Sequence, residues 1–443
     1  MRSNLTQLLK KNKLNINIIT ISILLLPISL FVGPAIVEIL VFLIFISFIY
    51  TFIQEKDFFL IKNFEIIIFS FFFLIIISSL LSEYKIISLK SSLLSIRFIV
   101  LIYATFFIIN KIDYFLKFFF IICLGSLLIN MFVGYLQFFY DNFFQGDLFL
   151  NKGVWLTESN PKLIVSGFFG DEKKLGSFLC RLFPLTVGLY LLVSKIENNK
   201  KIINILIFFI PLFFLIFLSS ERMSLFYCSL TFVFIFFYAA RINRKNIIIF
   251  PLSIILITSI LYFSDFNRFK QTVDRSYEQI FPKGRLIFFS VQHSFFASTS
   301  FELFKANPIL GIGPNNFRRK CSEYSAHYIS EKYNYDKTTI YKAQNQKIQN
   351  CSTHPHNIFF QLLSETGLFG IIYYLIFNIF LFIEIIKFFF KKNYNQSSFF
   401  FLLPIIYYLN PLLPSGNFFN NWYMCFGILG LPFYLYLVRI KKK

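Results

Sequence analysis

The sequence predicts an all-α integral membrane protein of about twelve transmembrane helices, with both termini in the cytoplasm and one large loop on the far side. Three observations carry this. Hydrophobic residues make up 56% of the 443 and mean hydropathy is +0.66, against roughly 45–50% apolar residues in a soluble domain. Nearly uncharged apolar runs recur at about the 20 residues a helix needs to cross a bilayer. Lys and Arg are distributed unevenly between alternate loops. A soluble helical bundle of this composition would have too little polar surface to face water.

In chain order the runs lie near 16–33, 35–53, 64–82, 93–110, 118–140, 175–194, 202–219, 223–240, 247–264, 366–387, 397–410 and 422–439. With the N-terminus inside, the tails and short inner loops hold 21 Lys/Arg and the short outer loops hold 3. Basic residues stay on the cytoplasmic side, so this asymmetry sets the orientation and requires an even number of spans. The net charge of +21 therefore reports membrane topology, and no nucleic-acid partner is expected. Membrane lipids are the immediate surroundings. The organisation expected is an N-terminal membrane part over 1–264 with an outer loop at 141–174, a large external loop over 265–357, and a C-terminal membrane part over 358–443.

The cysteines divide by location. Cys123, Cys180, Cys228 and Cys425 fall within spans and read as small apolar side chains. Cys321 and Cys351 are the two in the large external loop. An oxidising outer compartment favours a disulfide between them, tying off a polar excursion that contains Lys332, Lys337, Lys342 and Lys347.

Chemistry-bearing residues gather at the outer face. Arg181 lies just below it, and Glu221-Arg222 ends the tight turn between the seventh and eighth spans. Adjacent residues do not face each other on a helix, so at least one of that pair looks elsewhere. Arg97 is expected to snorkel or to pair with a neighbouring helix. In the external loop, Lys283-Gly284-Arg285 precedes Leu286, Phe289, Val291, Phe295, Phe296, Leu303 and Phe304. Their helical spacing reads as an amphipathic helix on the membrane surface. Gly311-Ile312-Gly313-Pro314 suggests a fixed backbone held close to something. The loop ends in His354-Pro355-His356-Asn357. Asn357 is placed to cap the following helix, which sets His356 at a rigid helix start. Two His at this spacing without a carboxylate or Cys cluster are poor ligands for a metal. No metal and no cofactor is expected.

Three segments together resemble the O-antigen ligase and O-antigen polymerase superfamily: Asn307-Pro308-Ile309-Leu310-Gly311-Ile312-Gly313, His356-Asn357, and Glu365-Thr366-Gly367-Leu368-Phe369-Gly370. Arg285 matches the arginine that opens the family's amphipathic helix. Arg222 stands where the family has an arginine at the outer end of a central span, although here it follows Glu in place of the usual Ser. The resemblance implies a GT-C-like, metal-independent, inverting glycosyltransferase of a bacterial inner membrane with its site facing the periplasm. Its donor would be a glycan on undecaprenyl diphosphate. Its acceptor would be lipid A core for a ligase, or another lipid-linked glycan for a polymerase. Protein O-glycosylation is a third activity of the class. Arg222 and Arg285, with Arg181 and Arg318 as lesser candidates, would meet the diphosphate, because a guanidinium stays charged and binds phosphate oxygens bidentately. His356 would take the acceptor proton. His354, Asn357, Gly311 and Gly313 complete the expected binding set. The rival from another class, a flippase or transporter of lipid-linked sugars, should place its polar groups at the bilayer midplane.

Overall fold

The computed structural model describes residues 14–54, 62–144, 164–170, 172–243, 248–264, 266–281, 290–332 and 351–440. Every one of the twelve expected spans contains helix. They are α1 Leu14–Val32, α2 Pro34–Gln54, α3 Lys62–Leu81, α4 Lys85–Lys111, α5 Phe115–Phe144, α6 Leu175–Val193, α7 Asn198–Leu218, α8 Arg222–Ile242 and α9 Ile249–Ser264. Three helices of the segment expected outside follow: α10 Phe266–Ile280, α11 Val291–Ala306 and α12 Phe317–Lys332. The chain then re-enters as α13 Ile358–Phe390, and ends in two interrupted helices, α14 Gln396–Phe400 with α15 Leu403–Tyr408 and α16 Asn421–Leu429 with α17 Leu431–Ile440. Among the described residues nine helices are long and apolar enough to cross a membrane, and three shorter apolar helices accompany them. The protein is a polytopic all-α membrane protein.

Apolar side chains alone do not distinguish one helix neighbour from another inside a bilayer. Here aromatic packing and a few polar ties supply the specificity. Phe115 and Phe119 of α5 stack on Phe433 of α17, which stacks in turn on Phe401 in the break between α14 and α15. A Cβ on Gly430, in the break between α16 and α17, would collide with Phe401 O. The two interrupted spans therefore nest at their breaks. Arg97 finds the partner expected of it: Glu38 on α2 at 2.9 Å, with Asn421 of α16 accepting a further bond at 2.6 Å.

α13 is broken where it meets the external loop. Gly367 sits at φ 65°, ψ −157°, a region essentially closed to other residues. The break frees the N–H groups of Leu368 and Phe369 and the carbonyls of Ser364 and Glu365, which an unbroken helix would pair with each other. The segment Pro308–Gly313 takes up all four. Leu368 N donates to Pro308 O at 2.8 Å and Phe369 N to Ile309 O at 3.4 Å, while Ile312 N donates to Ser364 O at 2.9 Å and Gly313 N to Glu365 O at 3.0 Å. The Glu365 side chain accepts from Phe317 N at the start of α12 and from Gln361 Nε2, both at 3.0 Å. Ser78 and Ser88 fasten the same segment to α3 and α4 by donating to Leu310 O and Pro314 O. The "something" that Gly311 and Gly313 approach is thus the protein's own backbone and Ser82.

The expected disulfide is present, with the Cα atoms of Cys321 and Cys351 5.5 Å apart. Most of the excursion it closes lies outside the described residues, as does Arg285. The amphipathic helix is displaced from its expected place. The first part of the 286–304 stretch is outside the described residues, and α11 buries Phe296, Thr299, Ser300 and Leu303 while packing on α12 and α13. The one-sided pattern belongs instead to α10, where Phe269, Val273, Tyr277 and Ile280 line one stripe opposite Gln271, Arg275 and Glu278. Helical spacing of apolar residues did not separate a helix packed on protein from one facing lipid.

The clamp at Gly367 makes a prediction. Gly367→Ala forces a Cβ into a glycine-only conformation 2.5 Å from Ile309 O, at a cost of roughly 1–3 kcal/mol for the backbone strain alone. Its apparent Tm in detergent should fall by a few degrees, since 1 kcal/mol moves Tm by about 2–4 °C at 150–250 residues and by less in a longer chain. Gly125→Ala, where nothing lies within 4 Å, should leave it unchanged. Equal thermal stability of Gly367→Ala and the parent protein would refute the clamp.

Candidate functional site

The outer ends of α6, α7 and α8 hold the first part of the site. The α7–α8 turn puts Ser220 at φ 54°, which aims Glu221 back at the start of α6. Its carboxylate accepts from Gly176 N at 2.6 Å, Ser177 N at 2.9 Å and Ser224 Oγ at 3.1 Å. These are N–H groups that a helix start leaves without partners, and the positive end of the helix dipole favours an acid there. Burial pushes the Glu221 carboxyl above its usual range, and the bonds from Ser177, Gly176 and Ser224 oppose this. Glu221 and Arg222 are therefore not a mutual pair. Arg222, the first residue of α8, is half-buried and has no hydrogen bond or ion pair among the described residues. Its cationic neighbours are Lys173, before α6, and Arg275 on α10. Burial and the field of Arg275 hold Lys173 below the usual lysine range, with Arg222 adding to this and Glu221 opposing it.

Arg181 departs from its expected role at the outer surface. It is 5% exposed, bonded to Ser177 O at 3.1 Å, and its guanidinium lies over the rings of Tyr227 at 5.7 Å and Tyr423 at 5.2 Å. Cation–π contact holds it inside the bundle.

The second part is a pocket of imidazoles under α11. His356 takes φ 56°, and Asn357 begins α13 as its cap, accepting from Phe360 N at 3.2 Å. The Asn357 amide nitrogen donates to Pro411 O and Leu413 O, so both ends of this side chain bind protein. The His356 ring stacks on Phe296 at 5.4 Å, lies 4.2 Å from the His354 ring and meets the His293 ring edge-on at 6.0 Å. Its Nε2 pairs with Ser352 Oγ at 3.0 Å. His354 pairs with Thr353 Oγ1 at 2.9 Å, and His293 with Ser290 Oγ at 2.6 Å. Burial lowers all three. His356 falls below its usual value for that reason alone. Burial and the neighbouring His356 put His354 at about 3 and His293 at about 4, with Arg222 lowering His293 further. At neutral pH all three rings are uncharged.

Of the residues singled out from sequence, the fold brings His354 and His356 together and leaves Arg222 free on the same side. Arg318 is exposed, bonded to Asn315 Oδ1 at 3.2 Å and within the electrostatic reach of His354. Gly311, Gly313 and Asn357 are engaged with backbone. Sequence reasoning missed His293, Lys173 and Arg275. His293, between Gln292 and Ser294, stands in no motif; the serine three residues before it, a helix cap, was the one available signal. Among the described residues no group of three or more His, Cys, Asp or Glu could hold a metal ion. Beneath Phe418 and Leu362, an almost wholly apolar cavity of about 170 Å³ runs between α3, α4 and α13, with Phe71, Phe98 and Phe377 in its walls.

Residues 207–375 match a family model described as O-antigen ligase. The match takes in Arg222, the imidazole pocket and the Gly367 clamp. No curated protein and no solved structure matches the chain.

The cap by Glu221 can be tested on stability. Glu221→Ala leaves two buried N–H groups without an acceptor, at roughly 1–3 kcal/mol each, and should lower the apparent Tm in detergent clearly. Glu221→Gln keeps one acceptor oxygen and should lose less. Arg222→Ala, which removes no hydrogen bond, should melt as the parent does. If Glu221→Ala melted with the parent, the carboxylate would not be the cap described.

Proposed function

We propose that this chain, residues 207–375 of which match a family model described as O-antigen ligase, transfers a glycan from undecaprenyl diphosphate to an acceptor hydroxyl at the periplasmic face of the inner membrane, with lipid A core as the acceptor. The observation that carries this reading is a rigidly held His356, its pKa lowered by burial, in a pocket whose His293 feels the field of Arg222, an arginine with no hydrogen bond or ion pair among the described residues.

The chemistry follows from those two groups. The acceptor hydroxyl is a weak nucleophile and needs a base within reach. With its Nε2–H donated to Ser352 Oγ, His356 keeps the Nδ1 lone pair for the acceptor proton. Attack forms the new C1–O bond as the bond from C1 to the phosphate oxygen breaks, and the electron pair leaves on the diphosphate. Direct displacement inverts the anomeric centre. Arg222 offers the leaving diphosphate a planar, permanently charged fork; Arg285, outside the described residues, is assigned the same role on the strength of its motif. Lys173 and Arg275 add positive potential. The apolar cavity under Phe418 suits a segment of the polyprenyl tail. These groups collect at the outer helix ends, not at mid-span, which favours surface chemistry over transport.

His356→Ala should lower kcat by about 10²–10⁴-fold, the usual contribution of a general base, and His354→Ala by less. A base acts in its neutral form, and burial lowers the His356 pKa. Activity should therefore hold at neutral pH and fall on acidification, with a midpoint below 6.5, the ordinary histidine value. A purified-protein transfer assay across pH 5 to 9 decides: activity that rises on acidification means that His356 works as a cation and not as the base.

The acceptor is read from lipopolysaccharide after deletion of the gene. Loss of all polymeric glycan from the core is the expected result. A single repeat still attached to core would make the chain a polymerase, and unchanged lipopolysaccharide would overturn the reading.

A further inference from the structure

His293 belongs to none of the motif segments, yet the fold places it where the reaction needs a third group. It lies in the first turn of α11, and Ser290, the cap of that helix, fixes its protonation. Ser290 Oγ accepts from His293 N at 3.2 Å and pairs with His293 Nδ1 at 2.6 Å. These are the bonds this hydroxyl makes. The hydroxyl already accepts one bond from His293 N, so its hydrogen is well placed to go to Nδ1, which leaves the imidazole hydrogen on Nε2.

The ring itself is packed into the imidazole pocket. Phe296, one turn further along α11, stacks on His356, and the His293 ring meets His356 edge-on at 6.0 Å. Arg222 acts on His293 electrostatically, and among the described residues Arg222 has no hydrogen bond or ion pair. His293 thus contacts the group that takes the acceptor proton and lies within electrostatic reach of the group that meets the diphosphate. What lies between those two in the reacting complex is the bond being broken.

The geometry points to His293 as a substrate-contacting residue whose Nε2–H donates to the phosphate oxygen that leaves C1. This rests on the transfer reaction proposed above and adds a residue to it. As the C1–O bond breaks, its electron pair moves onto that oxygen and the negative charge there grows. A fixed donor strengthens its bond as the charge develops. His293 keeps its proton throughout, and the acceptor proton goes to His356. A neutral ring suits the task, since it adds no charge that would hold the product diphosphate after transfer.

The test uses full-length protein in detergent with two readouts: glycan transfer, and binding of undecaprenyl diphosphate itself, which needs no turnover. His293→Ala should transfer about 10²-fold more slowly in kcat, the scale of losing one oxyanion donor, and should bind undecaprenyl diphosphate more weakly. His293→Gln, whose amide N–H reaches near the Nε2 position, should recover a good part of both. Ser290→Ala releases the tautomer lock and should fall between the Gln variant and the parent. Each variant is compared at matched thermal stability. A parent-like kcat and parent-like binding in His293→Ala would overturn the assignment while leaving the transfer reaction standing. A stable Gln variant as slow as the Ala variant would also overturn it, because ring packing would then matter and not the donor. If the parent protein neither transferred glycan nor bound undecaprenyl diphosphate, the underlying reaction would be at fault.

Discussion

At Gly367 the backbone of α13 leaves the helical region, and two donors and two acceptors lose their partners inside a membrane protein. Unpaired backbone groups away from water cost several kcal/mol each, so a break of this kind persists only where another segment meets all four. Pro308–Gly313 does so, pairing with both Ser364–Glu365 carbonyls and both Leu368–Phe369 amides. The external helices are not merely tethered by their chain ends; they are hydrogen-bonded into the wall of the bundle. Glu365 extends the junction by capping α12, and Gln361 links it onward to Asn417 and Phe418. The position of α11, and with it Phe296 and His293 against His356, follows from that junction and from the Cys321–Cys351 bridge behind it.

The charged groups near the outer face sort by whether their charge is used within the fold. Glu221 is spent on the start of α6, Arg181 on two tyrosine rings, and Arg97 on Glu38 and Asn421. Each sits deep enough that an unpaired charge would be costly. Arg222 is different: its sequence neighbour is turned away, and its nearest charged neighbours, Lys173 and Arg275, have the same sign. Three like charges set close together, with Glu221 offsetting them only in part at Lys173, raise the local potential, which is the electrostatic form a site for an anionic leaving group should take.

The imidazole pocket shows the complementary use of burial. Three rings packed together and shielded from water cannot readily hold protons, so the pocket remains neutral beside a cationic patch. In the transfer reaction proposed above, that would separate proton acceptance from anion binding, with no acid–base pair between them to collapse into a salt bridge.

Much of this was legible in sequence. Twelve apolar runs, the Lys/Arg asymmetry, the Asn357 cap and the cysteine pair each depend on local pattern or on compartment, and the helices, the cap and the bridge stand where those patterns put them. The Asn307–Gly313 and Glu365–Gly370 segments could be recognised, but the reason for their glycines could not: a positive φ and a close approach are visible one residue at a time, whereas the partner backbone lies some fifty residues away. The amphipathic helix was misplaced because α10 and α11 both carry apolar residues at helical spacing, and only packing tells which apolar face meets protein. His293 was invisible for a similar reason. A lone histidine gains meaning from its neighbours, and those neighbours, His356 from the end of the loop and Arg222 from α8, come near it only once Gly367 has locked the loop helices to the bundle.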